Sequence, residues 1–317
     1  MSHAAATPAM AAPDRRLPML RLIAWLCTGM MLVTLTLSAF MRLSQAGLGC
    51  ADWPACYGQN LRAAQQGEPV PTGHLVAAAR LAHRVFASLT LVLVIMLVMS
   101  TLATRPVLKR AGALSLALLL LALSLAALGI ATPGARLPAV AMGNLLGGFV
   151  MLALCWRLAA GARPTPTGLG VWAIAGLVLL CAQLAGGALV SASYAALSCS
   201  DLTDCARSAA AAGWDWQALN PWREPSFDAR TPPINTGGAF ALWAHHIGAM
   251  IVLPVLLLLG VAAWWLGRRR AGAALLVLVA LQVLLGLLIV STGLPLAGVL
   301  LHNLVAALLL ATLVRLI

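Results

Sequence analysis

Charge is what this sequence has least of. Only 9% of its 317 residues are charged, and Asp and Glu together number 8. An ordinary soluble protein carries about 25% charged residues, so a water-soluble globule is excluded. Disorder is excluded by the opposite shortage: unfolded chains are poor in apolar residues, and here 62% are hydrophobic. The apolar runs are rich in Leu and Ala and lack the period-two alternation of barrel strands. What is left is a polytopic membrane protein built of helices, the other structure that satisfies its own backbone in lipid.

The few charges punctuate the chain. Uncharged runs lie at 22–41, 85–104, 111–135, 137–156, 164–200, 231–267 and 271–314. A spanning helix needs about 20 apolar residues. The last run is long enough for two, and Ser291-Thr292-Gly293-Leu294-Pro295 supplies the turn between them. The reading is eight spans, roughly 20–41, 76–103, 111–131, 138–160, 168–192, 238–266, 271–291 and 296–316. The first is not read as a cleaved signal, because its apolar run exceeds a signal core and seven spans follow.

The net charge of +12 takes its meaning from where it falls. With the N-terminus in the cytoplasm, Arg15, Arg16, Arg21, Arg105, Lys109, Arg110, Arg157, Arg163, Arg268, Arg269, Arg270 and Arg315 lie inside, accompanied by the single acid Asp14. The remaining basic residues lie outside with all the other acids. This is the positive-inside bias, with both termini cytoplasmic. The basic balance orients the chain in a bilayer, and no nucleic-acid partner is expected. Two outer segments are long, about 42–75 and 193–237, so function is sought on that face.

The chain also repeats itself. Cys50-Ala51-Asp52-Trp53-Pro54-Ala55-Cys56 follows the first span, and Cys199-Ser200-Asp201-Leu202-Thr203-Asp204-Cys205 follows the fifth. Leu81-Ala82-His83-Arg84 opens the second span and Trp243-Ala244-His245-His246 the sixth. Gly143-Asn144-Leu145-Leu146 in the fourth pairs more weakly with His302-Asn303-Leu304-Val305 in the eighth. Four spans per unit keep both units in the same orientation. The expected fold is an all-α polytopic membrane protein, its eight transmembrane helices forming two pseudo-twofold-related four-helix bundles. The divisions are a cytoplasmic tail at 1–19, an N-terminal bundle at 20–160 and a C-terminal bundle at 161–317.

No acid falls within a span, which argues against an ion-coupled transporter. Cys27, Cys155 and Cys181 lie in spans and read as small apolar residues. Cys50/Cys56 and Cys199/Cys205 sit in outer loops, where a disulfide in each is the natural reading. Zinc competes poorly, since no His lies at ligand spacing. A structural staple and a redox-active bond both fit. The outer-loop residues Trp53, Trp214, Trp216, Trp222 and Trp243 read as an interfacial belt, and His3 and His74 as solvated.

His83, His245, His246 and His302 lie just below the outer surface of even-numbered spans. Two facing histidines in a four-helix bundle make a bis-imidazole haem cage, and His245 and His302 stand in that relation. Zinc would want further protein ligands, and no membrane acid supplies them. His83 has no such partner, because Gly143 or Asn144 holds the aligned place. The first bundle is therefore either a five-coordinate haem site with one open face or a degenerate copy. Arg80 and Arg84 flank His83; they either snorkel to the interface or bind haem propionates. Gly147-Gly148 and Gly186-Gly187 allow close approach of a helix or a macrocycle.

Together Met41-Arg42-Leu43, Gly47 through Cys56, His83-Arg84, Cys199 through Cys205, His245 and His302-Asn303 resemble the haem A synthase family of bacterial and mitochondrial inner membranes, over nearly the whole chain. The resemblance implies oxidation of the C8 methyl of haem O to a formyl group, by hydroxylation and a second oxidation, giving haem A for cytochrome oxidase. It implies haem O as substrate on His83 and haem b as cofactor on His245 and His302. It also implies disulfide chemistry at Cys50 and Cys56, an inner-membrane location with periplasmic loops, and haem O synthase and cytochrome oxidase assembly proteins as partners; homo-oligomers are compatible with it. Two positions depart from the family. Arg80 stands where it usually has Glu, removing an acid–base group, and Gly143 or Asn144 stands where it usually has a second His. The alternatives are a haem carrier of the same fold and a quinone-linked electron-transfer cytochrome.

Overall fold

The computed structural model describes residues 16–105, 107–132, 134, 136–161, 166–228, 234–235 and 237–317. His3, Asp14 and Arg15 of the expected tail, and Arg163, lie outside these. The described residues form α1 (Arg16–Gln45), α2 (Gln59–Gln65), α3 (His74–Val98), α4 (Lys109–Ala131), α5 (Pro138–Ala160), α6 (Thr167–Ala192), α7 (Leu202–Ala211), α8 (Gly238–Trp265), α9 (Arg269–Ser291) and α10 (Leu296–Val314). Eight of them, all but α2 and α7, are long and apolar enough to cross a membrane. The chain is therefore an all-helical, multi-pass membrane protein.

Local chemistry sets the ends. Pro138 opens α5 at its first turn, where a missing N–H costs nothing. A final π-turn, Met99–Ala103, extends α3 to the short connection before α4. Gly267, at φ 83°, lets the chain leave α8 and enter α9 almost at once. In the long segments, Asp201 caps α7 by accepting from the Thr203 and Asp204 amides at 2.9 Å.

The long helices close two rings. α1 packs on α3 and α5, and α4 joins α3 to α5; α6 packs on α8 and α10, and α9 joins α8 to α10. The order of partners around the second ring repeats that around the first. The rings meet where α5 lies against α6 and α10, and α1 against α10. One apolar core runs through both, from Leu35 of α1 through Phe149 and Leu152 of α5 to Leu180 of α6, Leu275 of α9 and Leu313 of α10. Large apolar side chains also cover the outside, among them Leu22, Ile130, Trp172, Leu258 and Trp265. In water such a surface is untenable; in lipid it costs nothing.

The two long segments occupy one face, called here the long-loop face. Leu43, Ala46, Leu48 and Tyr57 of the first pack with Tyr194, Ala196 and Leu197 of the second and with Leu296 at the start of α10. Trp53 is less a belt residue than a tie: its indole N–H donates to the Gly293 carbonyl at 2.9 Å. Trp214, Trp216 and Trp243 instead gather around Phe240, with ring centroids 5.0–6.1 Å apart.

Candidate functional site

The strongest convergence of polar groups inside the apolar walls is in the second ring. α8 and α10 each pack on α6 and α9, so they stand diagonally across that ring. α8 carries His245 and α10 carries His302. They lie seven and six residues from the long-loop ends of their helices, about 10 and 9 Å along the axes.

Each histidine is met by a glutamine from an intervening helix. Gln183 of α6 brings its amide nitrogen to 3.0 Å from His245 Nδ1 and donates to the His245 carbonyl at 3.0 Å. Gln282 of α9 brings its amide nitrogen to 3.0 Å from His302 Nε2. Four residues after each glutamine comes a glycine against the same imidazole. A Cβ at Gly187 would stand 2.8 Å from His245 Cε1, and one at Gly286 would stand 3.6 Å from His302 Cε1. The amide orients the ring, and the glycine leaves it room.

His302 Nδ1 and Gln282 Oε1 are both buried without a hydrogen-bond partner. An unmet buried polar atom costs about 1–3 kcal/mol. Turning the Gln282 amide over pairs Oε1 with Nε2–H and leaves a bare imidazole lone pair at Nδ1, the kind of donor that iron takes. Among the described residues no three His, Cys, Asp or Glu side chains converge on one point, so the donor set suits a ligand that brings its own equatorial donors rather than a bare zinc ion.

The first ring has one such histidine. His83 is half-buried on α3, and Arg80 and Arg84 are exposed. α5 stands diagonally across. Its Gly143 and Gly147 face α4, with a Cβ reaching 3.4 Å from Leu128 Cδ2 and 2.6 Å from Leu125 Cδ2; Gly148 faces α1, 2.6 Å from Leu35 Cδ2. At 3.6 residues per turn, Asn144 falls on the arc between those two faces, turned toward the ring interior. Of the two positions aligned with the absent histidine, Asn144 is the inward one. Gly147-Gly148 serves helix packing, whereas Gly186-Gly187 serves His245.

Both expected cysteine pairs come together on the long-loop face. The Cα atoms of Cys50 and Cys56 are 6.8 Å apart, and those of Cys199 and Cys205 are 5.0 Å apart. The first loop closes tightly: at φ +102°, Gly47 has no room for a side chain, since a Cβ would lie 2.6 Å from the Cys56 carbonyl oxygen. Cys27 and Cys155 are buried and Cys181 is exposed.

Gln183 and Gln282 escape a reading that marks only charged residues and histidines. Their signal is an amide inside an apolar run, followed four residues later by glycine. Arg42 sits in a quoted motif without an assigned role, yet it is the best-enclosed cation of the long-loop face. One guanidinium nitrogen donates to Ser191 Oγ, and Nη2 is buried without a partner.

The chain is similar to known proteins over most of its length. The sequence model of the COX15-CtaA family, described as cytochrome oxidase assembly protein, matches residues 21–314. A protein named heme A synthase from Shewanella oneidensis is 33% identical, the match covering 89% of this chain and 91% of that protein.

Proposed function

Because the chain belongs to the COX15-CtaA family of cytochrome oxidase assembly proteins, we propose that it is a haem A synthase, oxidising the C8 methyl of haem O to a formyl group. The observation that carries this reading is the pair His245 and His302, set diagonally across one ring and each held by a glutamine amide with a glycine beside it. This arrangement fits a resident haem b between the two imidazoles. The bare His302 Nδ1 supports that fit. A bis-imidazole haem supplies one-electron transfer. Gln183 and Gln282 fix ring orientation, and the apolar helices exclude water.

Haem O is assigned to the first ring, on His83, with Asn144 opposite. A single imidazole leaves one face of the iron open to oxidative chemistry. Arg84, next to His83 and exposed, suits a propionate at the long-loop face. Arg80 brings a fixed cation where an acid–base group is usual, so proton transfer there falls to water or to the substrate's own groups. The substrate bundle is assigned to residues 20–160 and the haem b bundle to residues 161–317, related by a pseudo-twofold axis along the membrane normal. The repeated order of helix contacts supports this relation. The long-loop face is assigned to the periplasm, the termini to the cytoplasm and the bilayer to an inner membrane, from the distribution of basic residues.

Two measurements bear on the parts. With a haem O supply, His83→Ala lowers conversion by at least tenfold while leaving the absorption of the C-terminal haem intact; undiminished conversion contradicts the substrate assignment. The cysteine pairs are proposed to be disulfides. Denatured protein then labels at three thiols before reduction and at all seven cysteines after it, and no gain on reduction rejects both bonds.

A further inference from the structure

Arg42 and Ser191 are joined by a hydrogen bond across 149 residues. That is also the offset from Cys50 to Cys199 and from Cys56 to Cys205, so the bond links equivalent positions of the two repeats. Equivalent positions meet where the halves share their axis. Arg42 therefore sits between the rings, three residues from the long-loop end of α1.

Its surroundings do not neutralise it. Among the described residues no carboxylate forms an ion pair with it, and Nη2 is buried with no partner. Besides Ser191, the polar groups that interact with it electrostatically are the Tyr57 and Tyr194 phenols. Burial, reinforced by the neighbouring Tyr194, holds Tyr57 well above its ordinary range, and burial raises Tyr194 against the opposing pull of Arg42. Both phenols stay neutral at physiological pH. An enclosed guanidinium without a counter-charge is costly, and removing it from water is repaid only by a well-placed anion. The planar fork favours a carboxylate.

We propose that Arg42 is a carboxylate-binding site on the axis between the two bundles, taking a propionate of a bound haem. This rests on the haem-binding reading above. His83, His245 and His302 all lie about 9–13 Å below the helix ends at this face. A macrocycle ligated at that depth with its propionate edge toward the aqueous phase brings its carboxylates up to the level of Arg42. The Ser191 hydroxyl holds the guanidinium for it.

The test is titration of the full-length detergent-solubilised chain with protohaem and with protohaem dimethyl ester, in wild type, Arg42→Gln and Arg42→Lys. Wild type is expected to bind the free acid about tenfold or more tighter than the ester. Arg42→Gln brings that ratio close to one without weakening the ester, which also shows that the variant is folded, and Arg42→Lys retains part of the preference. A wild-type ratio in Arg42→Gln overturns the proposal. If wild type takes up neither haem, the haem-binding reading fails instead. A palmitate-dependent rise in the melting temperature of wild type, absent in Arg42→Gln, would then assign the site to a free carboxylate, and no such rise would overturn it.

Discussion

Replacing His302 or His245 with alanine is expected to abolish the low-spin bis-imidazole absorption that the proposed haem b site gives the purified protein. In the proposed site each residue is one of two donors, and neither has a substitute in place. His246 is adjacent to His245, but its ring centroid is 6.4 Å away and it points about 100° further round α8. Bringing it to the axis would mean turning a helix packed on both α6 and α9. Loss of either histidine would leave the proposed site a single imidazole to hold a haem. Gln282→Ala is the graded counterpart. It keeps both candidate ligands but frees the His302 ring, and losing such a supporting hydrogen bond costs about 10–100-fold in metal affinity. Absorption unchanged in His302→Ala contradicts the C-terminal site outright.

The second large effect is on stability. Gly272→Val destabilises the protein by about 2–3 kcal/mol. At Gly272 the backbones of α8 and α9 nearly touch: a Cβ would stand 2.6 Å from the Gly260 carbonyl oxygen, 2.7 Å from the Trp264 nitrogen and 3.0 Å from its Cα. These are main-chain atoms, which cannot swing aside as a leucine tip can, so the helices must part. The buried contacts of Leu275 and Val279 along the same face of α9 are then loosened. Gly29→Ala is the control, because nothing lies within 4 Å of a Cβ there, and helix propensity alone makes it neutral or slightly stabilising. Thermal unfolding of the two variants checks the prediction; equal melting temperatures for Gly272→Val and wild type refute it.

Most of the fold is legible in the sequence, because a membrane span announces itself by what it excludes. The expected span at 138–160 coincides with α5, where Pro138 marks the start. α1 is the instructive difference. Bounding it by charge gives roughly 20–41, but the helix runs from Arg16 to Gln45. Arg16 and Arg42 belong to it as well, since long basic side chains can ride on a helix while their heads reach polar partners. α2 and α7 fall outside a search for apolar runs, and only the Asp201 cap hints at α7.

The proposed site is legible in its candidate ligands and obscure in their support. Histidine below an interface stands out in so apolar a chain, and the repeat points to His83, His245 and His302. Gln183 and Gln282 carry no charge, and what matters about them is the helix they face. That depends on how the rings close, a tertiary fact that no local pattern encodes. The same holds for Arg42, whose enclosure comes from Ser191 and from Tyr57 and Tyr194 in two different loops, and for Asn144, whose inward direction follows from the neighbours of Gly143 and Gly148.

Chemical change of a haem side chain is proposed for a protein with Arg80 and Asn144 in its first ring. Its most direct test is to extract the pigments from membranes expressing this chain alongside a supply of haem O. Haem A, or its hydroxymethyl precursor, is the predicted product. Recovery of unmodified haem alone, from protein that retains its bis-imidazole absorption, would contradict the account and leave a haem carrier in its place.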